Sequence, residues 1–183
     1  MFLHESEALK RQLRHSWLSD GRQESVAEHT WRMALMAIVL SQEIDAKIDV
    51  AHVLEMAIVH DLGEVYLGDY QVYGDGNPAP KNKHELEEEA LKKLIKLLPS
   101  SSSERIYSLW MEFEEKKTLE AKFATALDKL EVIIQHNEAD LSTYLEGEGE
   151  FNLTYADDKV SFDKVMSEFR EILREETKKK IGA

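Results

Sequence analysis

His60 and Asp61 close the apolar helical run Ala51-His-Val-Leu-Glu-Met-Ala-Ile-Val-His-Asp-Leu-Gly-Glu64. An imidazole and a carboxylate placed where core residues are expected lose their hydration and need a partner that offsets the loss. A divalent cation is such a partner. Two further residues interrupt helical apolar faces in the same way. His29 falls in the first turn of a helix opened by Ser25 and Glu28, which have the spacing of a capping box, and it sits beside the stripe Val26, Met33, Ala37 and Leu40. Asp128 shares a face with Ala121, Ala124 and Val132 at helical spacing. Two imidazoles and two carboxylates without a thiolate suit one Mn, Fe, Co, Ni, Zn or Mg ion better than they suit a structural zinc site. Such an ion serves as a Lewis acid and as a source of hydroxide near neutral pH.

The elements that must carry these residues read as all-α. Helix formers dominate, prolines number 3 and glycines 8, and no alternating run suggests a strand. The periodicity predicts helices over about residues 4–15, 25–44, 49–62, 83–98, 102–116, 118–140 and 157–180. Pro99 stops one helix, and Ser101 with Glu104 is the capping box expected to start the next. At helical spacing Glu64 lies at i+4 from His60 and i+3 from Asp61, which puts it on their face and makes it the candidate general acid or base. The length of 183 residues fits one domain with a sizeable core.

Composition excludes several classes. A net charge of −13 leaves no basic face for a nucleic-acid polymer, while Arg14, Lys81 or Lys83 could still neutralise one small phosphate. With no cysteine there is neither a disulfide nor thiol catalysis. The N-terminus lacks an apolar core of signal-peptide length, and the run Met33 to Leu40 is too short to span a membrane. No membrane association and a cytoplasmic location are therefore expected. His52 and His136 lie eight residues from His60 and Asp128, too far along their helices to join them, and Trp110 and Phe113 read as core. His84 has no second histidine nearby to complete another metal site, and Gly74-Asp-Gly76 lacks the spacing of a P-loop.

The order His29, then His60-Asp61, then a distant Asp128, each on its own helix, resembles the HD-domain phosphohydrolase superfamily. The blocks Glu24-Ser-Val-Ala-Glu-His29-Thr-Trp-Arg, His60-Asp-Leu-Gly-Glu64-Val-Tyr-Leu-Gly-Asp69 and Glu120-Ala-Lys-Phe-Ala-Thr-Ala-Leu-Asp128-Lys-Leu-Glu131 are similar to the small subgroup that includes 5'-deoxynucleotidases. The resemblance runs from about Leu9 to Asp140. It implies a single HD-domain helical bundle over residues 1–183, with a core at about 9–140, a metal site between helices and a C-terminal helix at about 157–180 packed on that core.

Carried over residue by residue, the resemblance implies that His29, His60, Asp61 and Asp128 hold one divalent metal. Glu64 and Asp69 would work beside it, with Asp69 on the sugar. Arg14 and Trp17 match an Arg-x-x-Trp element that holds the phosphate and lines the sugar pocket, and Lys81 would add to substrate binding. The implied activity is release of phosphate from deoxyribonucleoside 5'-monophosphates by a homodimeric enzyme. A phosphodiesterase or nucleoside triphosphate hydrolase on the same scaffold is the alternative, and a non-catalytic nucleotide-sensing module is the second. The stretch from Tyr70 to Lys83 is long for the family, and closing over the site it would reset substrate choice.

Overall fold

In the computed structural model, which describes residues 1–183, the helix carrying Asp128 is the axis of the fold. This is α7, Leu119–Glu138, whose Ala121, Phe123, Ala124, Ala126, Leu127, Leu130 and Ile133 are all fully buried. A helix that is apolar around most of its circumference has to be enclosed by others. α2 (Val26–Leu40), α3 (Val50–Val59), α6 (Ser100–Glu115), α9 (Asp157–Val160) and α10 (Lys164–Ile181) all pack on it. The remaining helices are α1 (Phe2–Glu5), α4 (Glu64–Leu67), α5 (Lys83–Ile95) and α8 (Glu148–Asn152), with short 3-10 turns at Ser6–Lys10 and Leu141–Thr143. No helix is long and apolar enough to cross a membrane.

Local chemistry explains most of the boundaries. Ser25 caps α2 as a full capping box: its hydroxyl accepts the Glu28 N–H, and Glu28 Oε2 accepts the Ser25 N–H at 2.8 Å. Asp49, Thr118 and Asp163 accept first-turn N–H groups of α3, α7 and α10. Replacing Ser25 with alanine forfeits the hydroxyl's bonds to the Glu28 N–H and carboxylate while keeping the backbone N–H bond, costs about 1 kcal/mol and is expected to lower the midpoint of a thermal melt by roughly 2–4 °C.

Four expectations are corrected. Residues 4–15 do not form one helix: after α1 and the 3-10 turn the chain enters β1 (Leu13–Trp17), antiparallel to β2 (Gln23–Ser25), with a bulged register and a turn at Gly21, where φ is +87°. The 157–180 segment is broken between α9 and α10, where Asp163 caps anew. Ser101 is not a cap, because α6 already begins at Ser100 behind Pro99 and no side chain caps it. α3 ends at Val59, with His60 as its C-cap, so Glu64 follows a turn closed by its N–H on the Asp61 carbonyl at 3.0 Å. Gly63 allows that turn to pass α5: a Cβ there would lie 3.0 Å from the Glu87 carbonyl oxygen.

Candidate metal centre

The candidate ligands arrive from three helices. His29 comes from the first turn of α2, His60 and Asp61 from the C-terminal end of α3, and Asp128 from the middle of α7. Donor atoms of His29, His60 and Asp128 lie within 4.8 Å of one another. Asp128 Oδ1 is 3.2 Å from His29 Nε2, and Asp61 Oδ2 is 2.9 Å from His60 Nε2.

The hydrogen bonds behind the two imidazoles decide what their front nitrogens offer. His60 Nδ1 faces the Ala57 carbonyl at 2.7 Å and so must donate, which leaves Nε2 with its lone pair. His29 Nδ1 donates to Glu131 Oε2. Both Nε2 atoms, together with Asp61 Oδ2 and Glu64 Oε2, are buried without a hydrogen-bond partner. Imidazole nitrogens and carboxylates gathered in one buried place are costly unless a proton or a cation lies among them, and a histidine whose far N–H is held by a carbonyl or carboxylate is oriented as metal ligands are. The donor set fits a divalent cation of the borderline or hard kind.

The charges around the centre shift one another strongly. Burial, then Asp61 and Asp69, push the Glu64 carboxyl well above the usual range. Burial and Glu131 push Glu24 up to about 7. At His29, burial and Arg14 oppose protonation, yet Glu131 and Asp128 hold its pKa at about 10. Burial works against Glu131 as well, but His29 and Arg32 keep it at about 2. Arg14 loses by burial and gains more from Asp69, Asp61 and Glu64, so it stays charged.

Arg14 stands over the centre between three carboxylates, 3.5 Å from Glu24, 3.8 Å from Asp61 and 3.6 Å from Asp69. A cavity of about 390 Å³ opens from it, reaching Glu64, Lys81, Lys83 and Lys129 among its charged residues. Asp69, Tyr70, Val72 and Val132 line both this cavity and a smaller one beside Arg14. Trp17 lines neither: its ring packs edge-on against His15, and its carbonyl accepts from Gln135 at 2.6 Å. On a helix Arg14 and Trp17 would share a face, but on strand β1 residues three apart point to opposite sides. The expected substrate contact from Trp17 is thereby corrected.

Several residues of this neighbourhood were not singled out from the sequence. Glu131 and Gln135 follow Asp128 at i+3 and i+7, a polar stripe on a buried helix that marks them in hindsight. Arg32 ties that stripe to α2, its Nε donating to Glu131 Oε1 at 2.7 Å. Lys129 Nζ lies 2.8 Å from Asp128 Oδ2, and nothing in the sequence separates it from a surface lysine. Side chains also hold the strand that bears Arg14 by its carbonyls: Gln23 takes that of Arg14, His136 that of His15 and Gln135 that of Trp17. His52 and His84 stay outside the centre, paired with Glu112 and Glu114.

The chain belongs to the HD domain family, whose model matches residues 6–170. It is 38% identical over 132 residues to 5'-deoxynucleotidase HDDC2 of Homo sapiens and 39% identical over 132 residues to 5'-deoxynucleotidase HDDC2 of Bos taurus, in each case across 71% of this chain and 62% of the relative. The chain thus spans about 62% of the length of these curated relatives. Among solved structures it is similar to a predicted metal-dependent phosphohydrolase from Magnetospirillum magnetotacticum, with a TM-score of 0.82, 28% identity, and coverage of 98% of this chain and 90% of that one.

Proposed function

We propose that the protein is a metal-dependent phosphomonoesterase that releases phosphate from deoxyribonucleoside 5'-monophosphates. The observation that carries the reading is the meeting of two orphaned imidazole Nε2 atoms with Asp61 and Asp128 beside Arg14. The relatives named as 5'-deoxynucleotidases support the substrate class. His29, His60, Asp61 and Asp128 would hold one divalent cation, which when bound supplies Lewis acidity toward a phosphoryl oxygen and acidifies water.

The chain's own groups do the rest. Arg14 clamps the phosphate through paired N–H groups and offsets charge that grows at its oxygens. Glu64 lines the same cavity, and in its ionised form it accepts the proton given up by the attacking water. Asp69 accepts a hydrogen bond from a sugar hydroxyl, Lys81 adds a cation at the cavity edge, and Val72 and Val132 present the apolar wall that disfavours a ribose 2'-hydroxyl. The residues 1–183 act as one HD domain, which the single continuous apolar core supports. Exposed Trp31, Leu35, Ile38 and Ile58 support a homodimer that covers them.

The test is phosphate release from matched ribo- and deoxyribonucleoside mono- and triphosphates by cation-loaded protein. Preferential release from deoxyribonucleoside monophosphates is expected, and silence across the panel with the cation bound would overturn the reading. In the same assay Arg14→Ala is expected to lose about 10–100-fold in kcat/KM, the worth of a charged hydrogen-bonding group. Arg14→Lys restores only part, because an ammonium cannot form the paired contact.

A further inference from the structure

Lys116 occupies a backbone position where glycine would be expected. α6 ends on it with φ at 53°, and its N–H closes the last turn on the Glu112 carbonyl. A side chain with a Cβ is strained in this left-handed region, and glycine or asparagine usually takes the place. A cation favours the end of a helix dipole, but the next residue, Lys117, stands just beyond that end without the strain. Strain kept where a common residue would relieve it points to a use for the side chain.

The surroundings indicate which use. Lys116 forms no ion pair and lines two cavities, the one over the candidate cation ligands and a second of about 280 Å³. Thr125, one turn before Asp128 on α7, lines both as well; it is 2% exposed and its hydroxyl has no partner. Lys122 enters the second cavity, also without an ion pair, whereas Lys159 there is committed to Asp158 at 2.6 Å. Lys116 and Lys122 are exposed and unpaired, the Thr125 hydroxyl is buried without a partner, and the one carboxylate lining the second cavity, Asp158, is held by Lys159; beside a phosphate-ester site these are donors that a tetrahedral oxyanion matches.

We propose that Lys116, with Thr125 and Lys122, forms a second phosphate subsite next to the cation centre, for a phosphate group other than the one hydrolysed. This builds on the reading of the main cavity as a phosphate-ester site, although its test reads binding instead of turnover. Two sources offer the same dianion: free orthophosphate, or a further phosphate on the same nucleotide.

The experiment is calorimetric titration of cation-loaded protein, as the unaltered chain, Lys116→Gly, Lys116→Asn and Lys116→Arg. The first ligand is inorganic phosphate, and the second a methylene-bridged deoxynucleoside diphosphate that cannot be hydrolysed. Orthophosphate is expected to fill two classes of site in the unaltered chain, and the second class is expected to weaken about tenfold or more in the Gly and Asn variants and to persist in Lys116→Arg. If the source is the nucleotide itself, the bridged diphosphate weakens by a similar factor in Gly and Asn; if it is free orthophosphate, the diphosphate binds all four proteins alike. Relief of the left-handed strain is expected to raise the melting midpoint of Lys116→Gly by roughly 2–4 °C, so that lost binding is not lost folding. One class of phosphate site in every protein, with the diphosphate equally unaffected, would overturn the proposal and leave Lys116 a helix-end cation. The isotherms remain readable even if no nucleotide is hydrolysed, so this failure and that of the nucleotidase reading are distinguishable.

Discussion

Asp61→Ala is expected to lower phosphate release by more than about 10³-fold, because several kcal/mol of charge stabilisation by a bound cation are lost with a ligand. Asp61 touches both the candidate cation ligands and the guanidinium above them. Its Oδ2 lies 2.9 Å from His60 Nε2 and 3.8 Å from Arg14 Nη1, and it is buried without a hydrogen-bond donor. Removing it takes a ligand from the cation and an anchor from the guanidinium together. The variant is checked by steady-state kinetics beside circular dichroism, which should report unchanged helix content. Activity within tenfold of the unaltered chain would exclude Asp61 from the centre.

The cation-free protein is expected to lose stability as pH rises, and a divalent cation to reverse the trend. Glu24 has its pKa raised from 4.5 to about 7 in the folded chain, so the fold holds that proton more tightly than the unfolded chain does. Its contribution is complete below pH 4.5 and disappears as pH passes through about 7. Glu64 acts in the same direction. His29, raised from 6.5 to about 10, contributes fully below 6.5 and loses its effect as pH rises through about 10. Asp61, Asp128 and Glu131 work the other way. Burial opposes their charge but is outweighed, chiefly by His60 at Asp61, Lys129 at Asp128 and His29 at Glu131, so their stabilisation is lost on acidification below the usual carboxylate range. Cation-free melts should therefore fall by on the order of 5–10 °C between pH 5 and pH 9. A cation competes with the proton for His29, so it should raise the midpoint more at pH 8 than at pH 5. A flat profile, or an equal cation shift at both pH values, would contradict this electrostatic account.

What was legible in the sequence was local. The Ser25 and Glu28 box is four residues long and is present as read. His60-Asp61 and Asp128 stand out because apolar helical runs make a polar residue conspicuous, and the structure brings them beside His29. Arg14 and Asp69 meet as well, 3.6 Å apart. The ribbon that carries Arg14 was illegible for a physical reason. Leu-Arg-His-Ser-Trp has little strand character of its own, and Gln135 and His136, more than a hundred residues away, hold its carbonyls. Once β1 is a strand, Trp17 turns away from Arg14, which no local signal foretold. Lys116 and Lys129 were hidden differently: a lysine in a charged helical stretch reads as solvated, and only the packing of α6 and α7 around the cavity brings these two to it.

The most direct measurement is a titration of metal-stripped protein with a single divalent cation, following bound metal and phosphate release from a deoxyribonucleoside 5'-monophosphate in the same samples. One cation per chain is predicted, with release rising in proportion to occupancy and both absent when His60 is replaced by alanine. Release that persists in the stripped protein, or a cation bound equally well without His60, would contradict a centre built from His29, His60, Asp61 and Asp128.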